Sequence, residues 1–204
     1  MIKIRIVIDG ASGSGKTTFL SCNFLSDLRK KCSPNTINIA SLGYPVFSEM
    51  MQGAVNDAKK IGVIPPVQTE DWKKLFQLIY KRGVEQYEAA KANISWYDRG
   101  IHFLKAFADV NNQKLPEPLF ENIRNYRYDY AFIFKPIETF DLSMPDNGKF
   151  GPMSLDDRYR EFEAIVNAYT EFNHKVFIVP VFSNNLEENF YRRLSFIKER
   201  VPLL

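Results

Sequence analysis

The stretch Ile2-Lys-Ile-Arg-Ile-Val-Ile8, continued by Asp9-Gly10-Ala11-Ser12-Gly13-Ser14-Gly15-Lys16-Thr17-Thr18, decides the reading of this chain. β-Branched residues crowd Ile2–Ile8 and Asp9-Gly10 stops them, a pattern that predicts a strand ending at a turn. Gly10 to Thr17 then fits Gly-x-x-x-x-Gly-Lys-[Ser/Thr] at every fixed position. An apolar helix is expected to follow, from Lys16 to about Lys31. A strand, a glycine-rich turn and a helix in that order make a cradle for phosphate. Successive backbone N–H groups of a tight loop converge on an anion, and the helix start adds the positive end of its dipole. Glycine supplies the backbone angles such a loop needs. A Gly/Ser-rich linker carrying a chance Lys-Thr would not sit between Ile2–Ile8 and the apolar Phe19–Leu28. The expected nucleotide contacts are therefore Gly10, Ser12, Gly13, Ser14, Gly15, Lys16, Thr17 and Thr18. Lys16 is expected on the β- and γ-phosphates. Thr17 would offer a hydroxyl to Mg²⁺, a hard cation that prefers oxygen ligands.

Further along, Thr36–Ala40 reads as a second strand and Ser41–Phe47, with Gly43 and Pro45, as the loop at its end. Helices are expected over Glu49–Lys60 and from Thr69 or Glu70 to Asn93, where Trp72, Leu75, Phe76, Ile79 and Val84 recur at helical spacing. Ile94–Tyr97 is a short strand closed by Asp98-Arg99-Gly100. Helices over Ile101–Val110 and Pro116–Arg124 lead to a strand at Tyr130–Phe134. Glu138–Pro152 is irregular, and a helix runs from about Ser154 to Phe172. Val176–Pro180 is the last strand and Glu187–Arg200 the last helix. Strands alternating with helices predict a mostly parallel sheet with helices on both faces. The fold class is α/β: a three-layer α/β/α P-loop NTPase of five strands, spanning 1–204 as one domain with a lid segment at about 138–160. Such sheets bind ligands at the carboxyl ends of their strands. Gly10–Thr17, Ser41–Phe47 and Asp98-Arg99 all fall at those ends.

Composition argues against several other classes. Net charge is +3 and the pI is about 8.7, too mild for a protein that tracks a polyanion. Arg29-Lys30-Lys31 and Arg192-Arg193 sit near expected helix ends and read as solvated surface. The two cysteines, Cys22 and Cys32, match neither a disulfide framework nor a metal spacing. The start of the chain alternates Lys and Arg with Ile, unlike a signal peptide, and no apolar run approaches the ~20 residues of a membrane span. The expectation is a cytoplasmic protein whose partners are a nucleotide and a small molecule, with no membrane and no nucleic acid. Its oligomeric state is unread.

Other candidate site residues follow from chemistry. Asp98, at a strand end, could hold Mg²⁺ as a Walker-B acid does. Arg99 could grip a phosphate with two prongs. Arg158, on the flank of the irregular segment, could neutralise charge on a transferring phosphoryl group, whereas Ser154 and Asp157 read as a helix capping box. Tyr44 and Phe47 could seat an acceptor substrate, a role that ordinary packing at the edge of the core would equally explain. Glu49 and Asp71 are weaker candidates as bases. His102 and His174 are lone histidines, assigned neither to a metal nor to catalysis.

With these residues placed, the chain resembles a family of small P-loop ATPases with a kinase-like, AAA-related domain, which includes the ribosylnicotinamide-kinase domain of bifunctional NAD-salvage proteins. The resemblance runs through Gly10–Thr18, Trp96-Tyr97-Asp98-Arg99-Gly100, Tyr128–Phe134 with Lys135-Pro136, Asp157-Arg158, Tyr169–Asn173 and Lys175–Pro180. It implies a nucleoside- or nucleotide-kinase-like fold with ATP (or GTP) and Mg²⁺ as cofactors and phosphoryl transfer to a small-molecule acceptor as the chemistry. Lys16, Asp98, Arg99 and Arg158 would then be catalytic. Members often carry a Glu and an Arg after the second strand, whereas Tyr44–Met51 holds no arginine, so the acceptor site is expected to differ or to be absent. The alternative is a nucleotide-binding switch, an ATPase or GTPase with no small-molecule acceptor.

Overall fold

The computed structural model describes residues 3–20, 46–47, 50–63, 67, 69–139 and 153–201. In chain order the elements are β1 (Ile4–Gly10), α1 (Lys16–Leu20), β2 (Val46–Phe47), α2 (Met50–Lys60) and α3 (Trp72–Ala89), the last entered through a 3₁₀ turn at Thr69–Asp71. They continue with β3 (Ile94–Asp98), α4 (Phe103–Val110), α5 (Glu117–Ile123), β4 (Tyr130–Phe134), α6 (Leu155–Glu171), β5 (Val176–Val179) and α7 (Leu186–Lys198). The strands lie in the order β2-β3-β1-β4-β5, every pair parallel. Parallel neighbours require crossover connections, and helices supply them.

The layers follow from the pleat, which sends alternate residues to opposite faces. Ile4, Ile6 and Ile8 of β1, Trp96 of β3, and Phe132 and Phe134 of β4 face a cluster with Phe19 and Leu20 of α1 and Phe190, Leu194 and Ile197 of α7. The intervening Val7, Tyr97, Ala131 and Ile133 face a second cluster built with α2 to α6. β1 is buried on both sides, which is why it reads as an apolar run rather than an alternation. Helix starts are set locally. At α6 the Ser154 hydroxyl accepts from the Asp157 N–H while Asp157 accepts from the Ser154 N–H, the expected capping box. At α7 the Asn185 side chain accepts from Glu188 N–H.

Two differences from expectation have simple causes. Val46 and Phe47, expected in a loop, pair with Trp96 and Tyr97 as a two-residue edge strand. β1 runs on through Asp9 and Gly10 because those residues pair with Ile133 and Phe134 of β4. The expected strand Thr36–Ala40, the helix beyond Leu20, Cys22, Cys32 and residues 140–152 of the lid lie outside the described residues. Among the described residues no helix is long and apolar enough to cross a membrane.

Candidate phosphate-binding site

Gly10 is the last residue of β1, directly opposite Phe134. A Cβ there would come 2.5 Å from the Phe134 carbonyl oxygen, so only glycine lets the strand lie this close to β4. The chain then turns: the Ser14 N–H donates to the Ala11 carbonyl at 3.1 Å. Gly13 and Gly15 take left-handed φ values of 71° and 81°. α1 starts immediately afterwards at Lys16, whose side chain is buried.

The carbonyl side of this turn is tied down by two buried arginines. Arg158 on α6 donates through Nε to the Ser12 carbonyl (3.1 Å) and through Nη2 to the carbonyls of Gly13 (3.4 Å) and Ile137 (2.6 Å). Arg193 on α7 donates through Nη1 to the Ser14 carbonyl (2.5 Å). A trans peptide is planar, with its N–H and C=O pointing opposite ways. Holding the carbonyls of Ser12 and Ser14 therefore turns the Gly13 N–H away from Arg158 and the Gly15 N–H away from Arg193. Backbone donors left unbound in a tight turn are what an anion site draws on.

Beneath the loop lies a buried charge network. Asp9 Oδ1 accepts the Gly10 N–H (2.8 Å) and pairs with Arg99 Nη1 (3.2 Å), while Oδ2 accepts the Tyr169 hydroxyl (3.0 Å). Arg99 Nη2 pairs with Glu161 Oε1 at 3.2 Å, and Glu161 Oε2 accepts the Ser12 N–H at 2.9 Å. The Arg99 guanidinium also lies 3.8 Å from the centre of the Phe103 ring. Burial pushes the Asp9 carboxyl up to about 6, against the opposing pull of Arg99, Lys16, the Gly10 N–H and Tyr169. Arg99 reaches this position with a φ of 68°, a left-handed conformation unusual for a side-chain-bearing residue. Two ion pairs and an aromatic face offset that strain.

Asp98 and Arg99 separate because Asp98 ends the pleated strand, while Arg99, at a φ of 68°, turns out of it. Asp98 has the parity of Trp96, whose face is covered by α1. Arg99 turns to the face of α4 and α6. The structure thus puts Asp98, buried, at the end of the strand next to β1 and on the face where Lys16 begins its helix. It does not direct Arg99 or Arg158 outward as phosphate clamps. Arg99 is only 4% exposed and engaged with carboxylates, and Arg158 is 2% exposed and engaged with loop carbonyls. Thr17 and Thr18 lie in α1 and Phe47 in β2, with their side chains outside the described part. Tyr44 and Glu49 are outside the described residues. Asp71 accepts from Lys74 at 2.8 Å.

Sequence reasoning assigned no role to four residues of this site: Asp9, Glu161, Tyr169 and Arg193. Arg193, expected in solvent, is buried. The helical stripes carried the signal. Arg158, Glu161, Phe162, Ile165, Ala168 and Tyr169 share the buried face of α6, and Arg193 sits between Phe190 and Leu194 on that of α7. A charge at a core position of an amphipathic helix needs a buried partner. His102 and His174, expected as lone residues, are a buried pair with Nε2 atoms 3.1 Å apart.

A glycine-rich turn between a buried parallel strand and a helix, at the carboxyl edge of a sheet covered on both faces, defines a P-loop nucleotide-binding α/β fold. The sequence profile of the AAA-domain family matches residues 5–189, and the chain belongs to that family. In fold it is similar to thymidylate kinase from Ehrlichia chaffeensis (TM-score 0.56, 16% identity, 97% of this chain and 98% of that one). It is also similar to deoxyadenosine kinase from M. mycoides (0.51, 14%, 98% and 100%). A third likeness is to the NadR protein solved in complex with NAD and AMP-PNP (0.57, 15%), where the match covers 97% of this chain and 49% of that one. No curated protein matches the chain in sequence.

Proposed function

We propose that this protein transfers a phosphoryl group from ATP, or GTP, to a small-molecule acceptor of the nucleoside or nucleotide class. The observation that carries the reading is the loop itself, its carbonyls held by Arg158 and Arg193 so that N–H groups and Lys16 remain for an anion. The AAA-domain family and the likeness in fold to nucleoside and nucleotide kinases support it, as does the likeness to NadR, solved with AMP-PNP.

In this reading Lys16 holds the β- and γ-phosphates. Asp98 and the Thr17 hydroxyl are the oxygen donors for Mg²⁺, which neutralises phosphate charge when bound. That donor set suits the ion: Mg²⁺ takes one or two protein oxygens and fills its shell with phosphate and water. Among the described residues no three His, Cys, Asp or Glu side chains gather as a closed metal cage. We assign Arg99 and Arg158 as positioning residues rather than phosphoryl clamps, since their geometry serves the loop. Transfer to a hydroxyl is mostly alignment and charge neutralisation, which a preorganised loop supplies. The acceptor would sit toward Phe47, on the edge strand β2, with Tyr44 a further candidate contact.

The test is transfer of γ-labelled phosphate from ATP across a panel of nucleosides, nucleoside monophosphates and nicotinamide riboside. A labelled product, with turnover rising well above plain hydrolysis for one acceptor, is expected. Nucleotide hydrolysis that no acceptor accelerates would replace the kinase reading with that of a nucleotide-dependent switch.

A further inference from the structure

Arg193 is 2% exposed, on the last helix and 179 residues from the loop it touches. Its guanidinium donates to three carbonyls: Ser14 (2.5 Å), Pro180 (3.1 Å) and Lys135 (3.3 Å). These follow β1, β5 and β4 respectively, so one side chain joins the carboxyl ends of three adjacent strands. The planar cation also lies over the Phe134 ring, 4.4 Å from its centre. Among the described residues the arrangement leaves a charge imbalance. Arg99 is countered by two carboxylates, but among the described residues no carboxylate pairs with Arg193. Burial lowers its pKa to about 10, so it stays protonated at neutral pH. Among the described residues this buried cation is held by carbonyls and a ring alone, which leaves its burial not fully compensated.

We propose that Arg193 is a positioning residue for the bound triphosphate: it orients the Ser14–Gly15 peptide and supplies, through the loop, a positive charge that an anionic ligand balances. The proposal rests on the nucleotide reading above and deepens it. Arg193 would not touch the phosphates. Its bond to the Ser14 carbonyl polarises that peptide and aims the Gly15 N–H away from α7, into the loop. A Cβ on Gly15 would meet Arg193 Nη1 at 3.5 Å, which shows how closely the guanidinium backs the turn. The effect should therefore scale with the charge of the ligand. A side chain that merely held the strand ends together would affect all ligands alike.

Calorimetric titration of Mg²⁺–AMP-PNP, Mg²⁺–ADP, AMP and adenosine into the wild type, Arg193→Met and Arg193→Lys tests this. Arg193→Met keeps the bulk and loses the charge and its bonds. Charged hydrogen bonds of this kind correspond to about 10- to 100-fold in affinity, so triphosphate binding is expected to weaken by about tenfold or more. Diphosphate should weaken less and adenosine not at all. Arg193→Lys, which retains charge but cannot span three carbonyls, should recover part of the loss. Equal weakening for adenosine and triphosphate, or unchanged triphosphate affinity in a folded Arg193→Met, would overturn the proposal. If Arg193→Met does not fold, Arg193→Lys carries the same comparison, and wild-type triphosphate affinity in it would likewise overturn it. Lys16→Ala separates the two readings. Loss of binding there with normal binding in the Arg193 variants sinks only this inference, and absence of triphosphate binding by the wild type sinks both.

Discussion

Removing one hydroxyl beneath the phosphate loop should have a large effect on stability. The Tyr169 hydroxyl donates to Asp9 Oδ2 at 3.0 Å and accepts the Gly100 N–H at 3.0 Å, with all three residues buried. Tyr169→Phe preserves the ring packing and leaves both partners unsatisfied. A hydrogen bond to a charged group contributes about 1.5–3 kcal/mol, and an orphaned buried N–H costs about 1–3 kcal/mol. Allowing for relaxation, the expected loss is about 3 kcal/mol, or about 6–12 °C in Tm for a chain of this size. The loss should also depend on pH. The folded-state pKa of Asp9 is about 6, above the ordinary carboxylate value, so its contribution to stability is present at low pH and lost as pH rises through 6. The Tyr169 hydroxyl favours the ionised form, and without it the folded pKa moves higher still. The deficit of Tyr169→Phe should therefore be larger at pH 7.5 than at pH 5. Urea unfolding followed by circular dichroism at both pH values measures it. The acid response of the histidine pair is common to both proteins and cancels. A variant within about 0.5 kcal/mol of wild type at both pH values, the range of an inert surface change, would refute the network.

Three further outcomes are expected. Asp98→Asn should lower Mg²⁺-dependent turnover by about 10²-fold, as for loss of a positioned charge; wild-type rates in a steady-state assay would leave Asp98 a structural residue. Burial first, and then the neighbouring His174 and Arg127, holds His102 well below its ordinary pKa, and burial lowers His174 as well. Their contribution is present above about pH 6.5 and lost as pH falls below it. His102→Phe should flatten that limb of a pH series of unfolding curves, and an unchanged slope would contradict it. Gly10→Ala must move the Phe134 carbonyl away from a 2.5 Å contact, so a loss of about 2 kcal/mol or more is expected, read as a fall in Tm; an unaltered Tm would mean the β1–β4 pairing is looser than described.

The loop could be read from sequence because its chemistry demands fixed residue types at fixed spacing, and the strands around it because burial on both faces demands unbroken apolar runs. Arg99 and Arg158 were harder. Their residue type suggested phosphate, but side-chain direction depends on strand parity and helix face. The alternation Ile94, Trp96, Asp98 already gives Asp98 its face, whereas Arg99 lies past the strand in a left-handed turn that no sequence period marks. Likewise Arg193 stands among Phe190, Leu194 and Ile197 at core spacing, a position that its pairing with Arg192 disguised as a basic surface cluster. Val46-Phe47 was hidden by Gly43 and Pro45, since two residues are too few to show a period. The His102–His174 contact joins residues 72 positions apart and left no local trace. Tertiary structure alone brings them together.

The central claim is that backbone donors and one ammonium group near the start of the chain hold a nucleotide triphosphate. Titration of Mg²⁺–AMP-PNP and its guanine counterpart into wild type and Lys16→Ala, with thermal unfolding to verify both folds, tests it most directly. Saturable binding by the wild type that falls by at least about tenfold in a folded Lys16→Ala, the loss of one charge-assisted contact, is predicted. Equal binding by the two proteins, or no binding by the wild type, would contradict it.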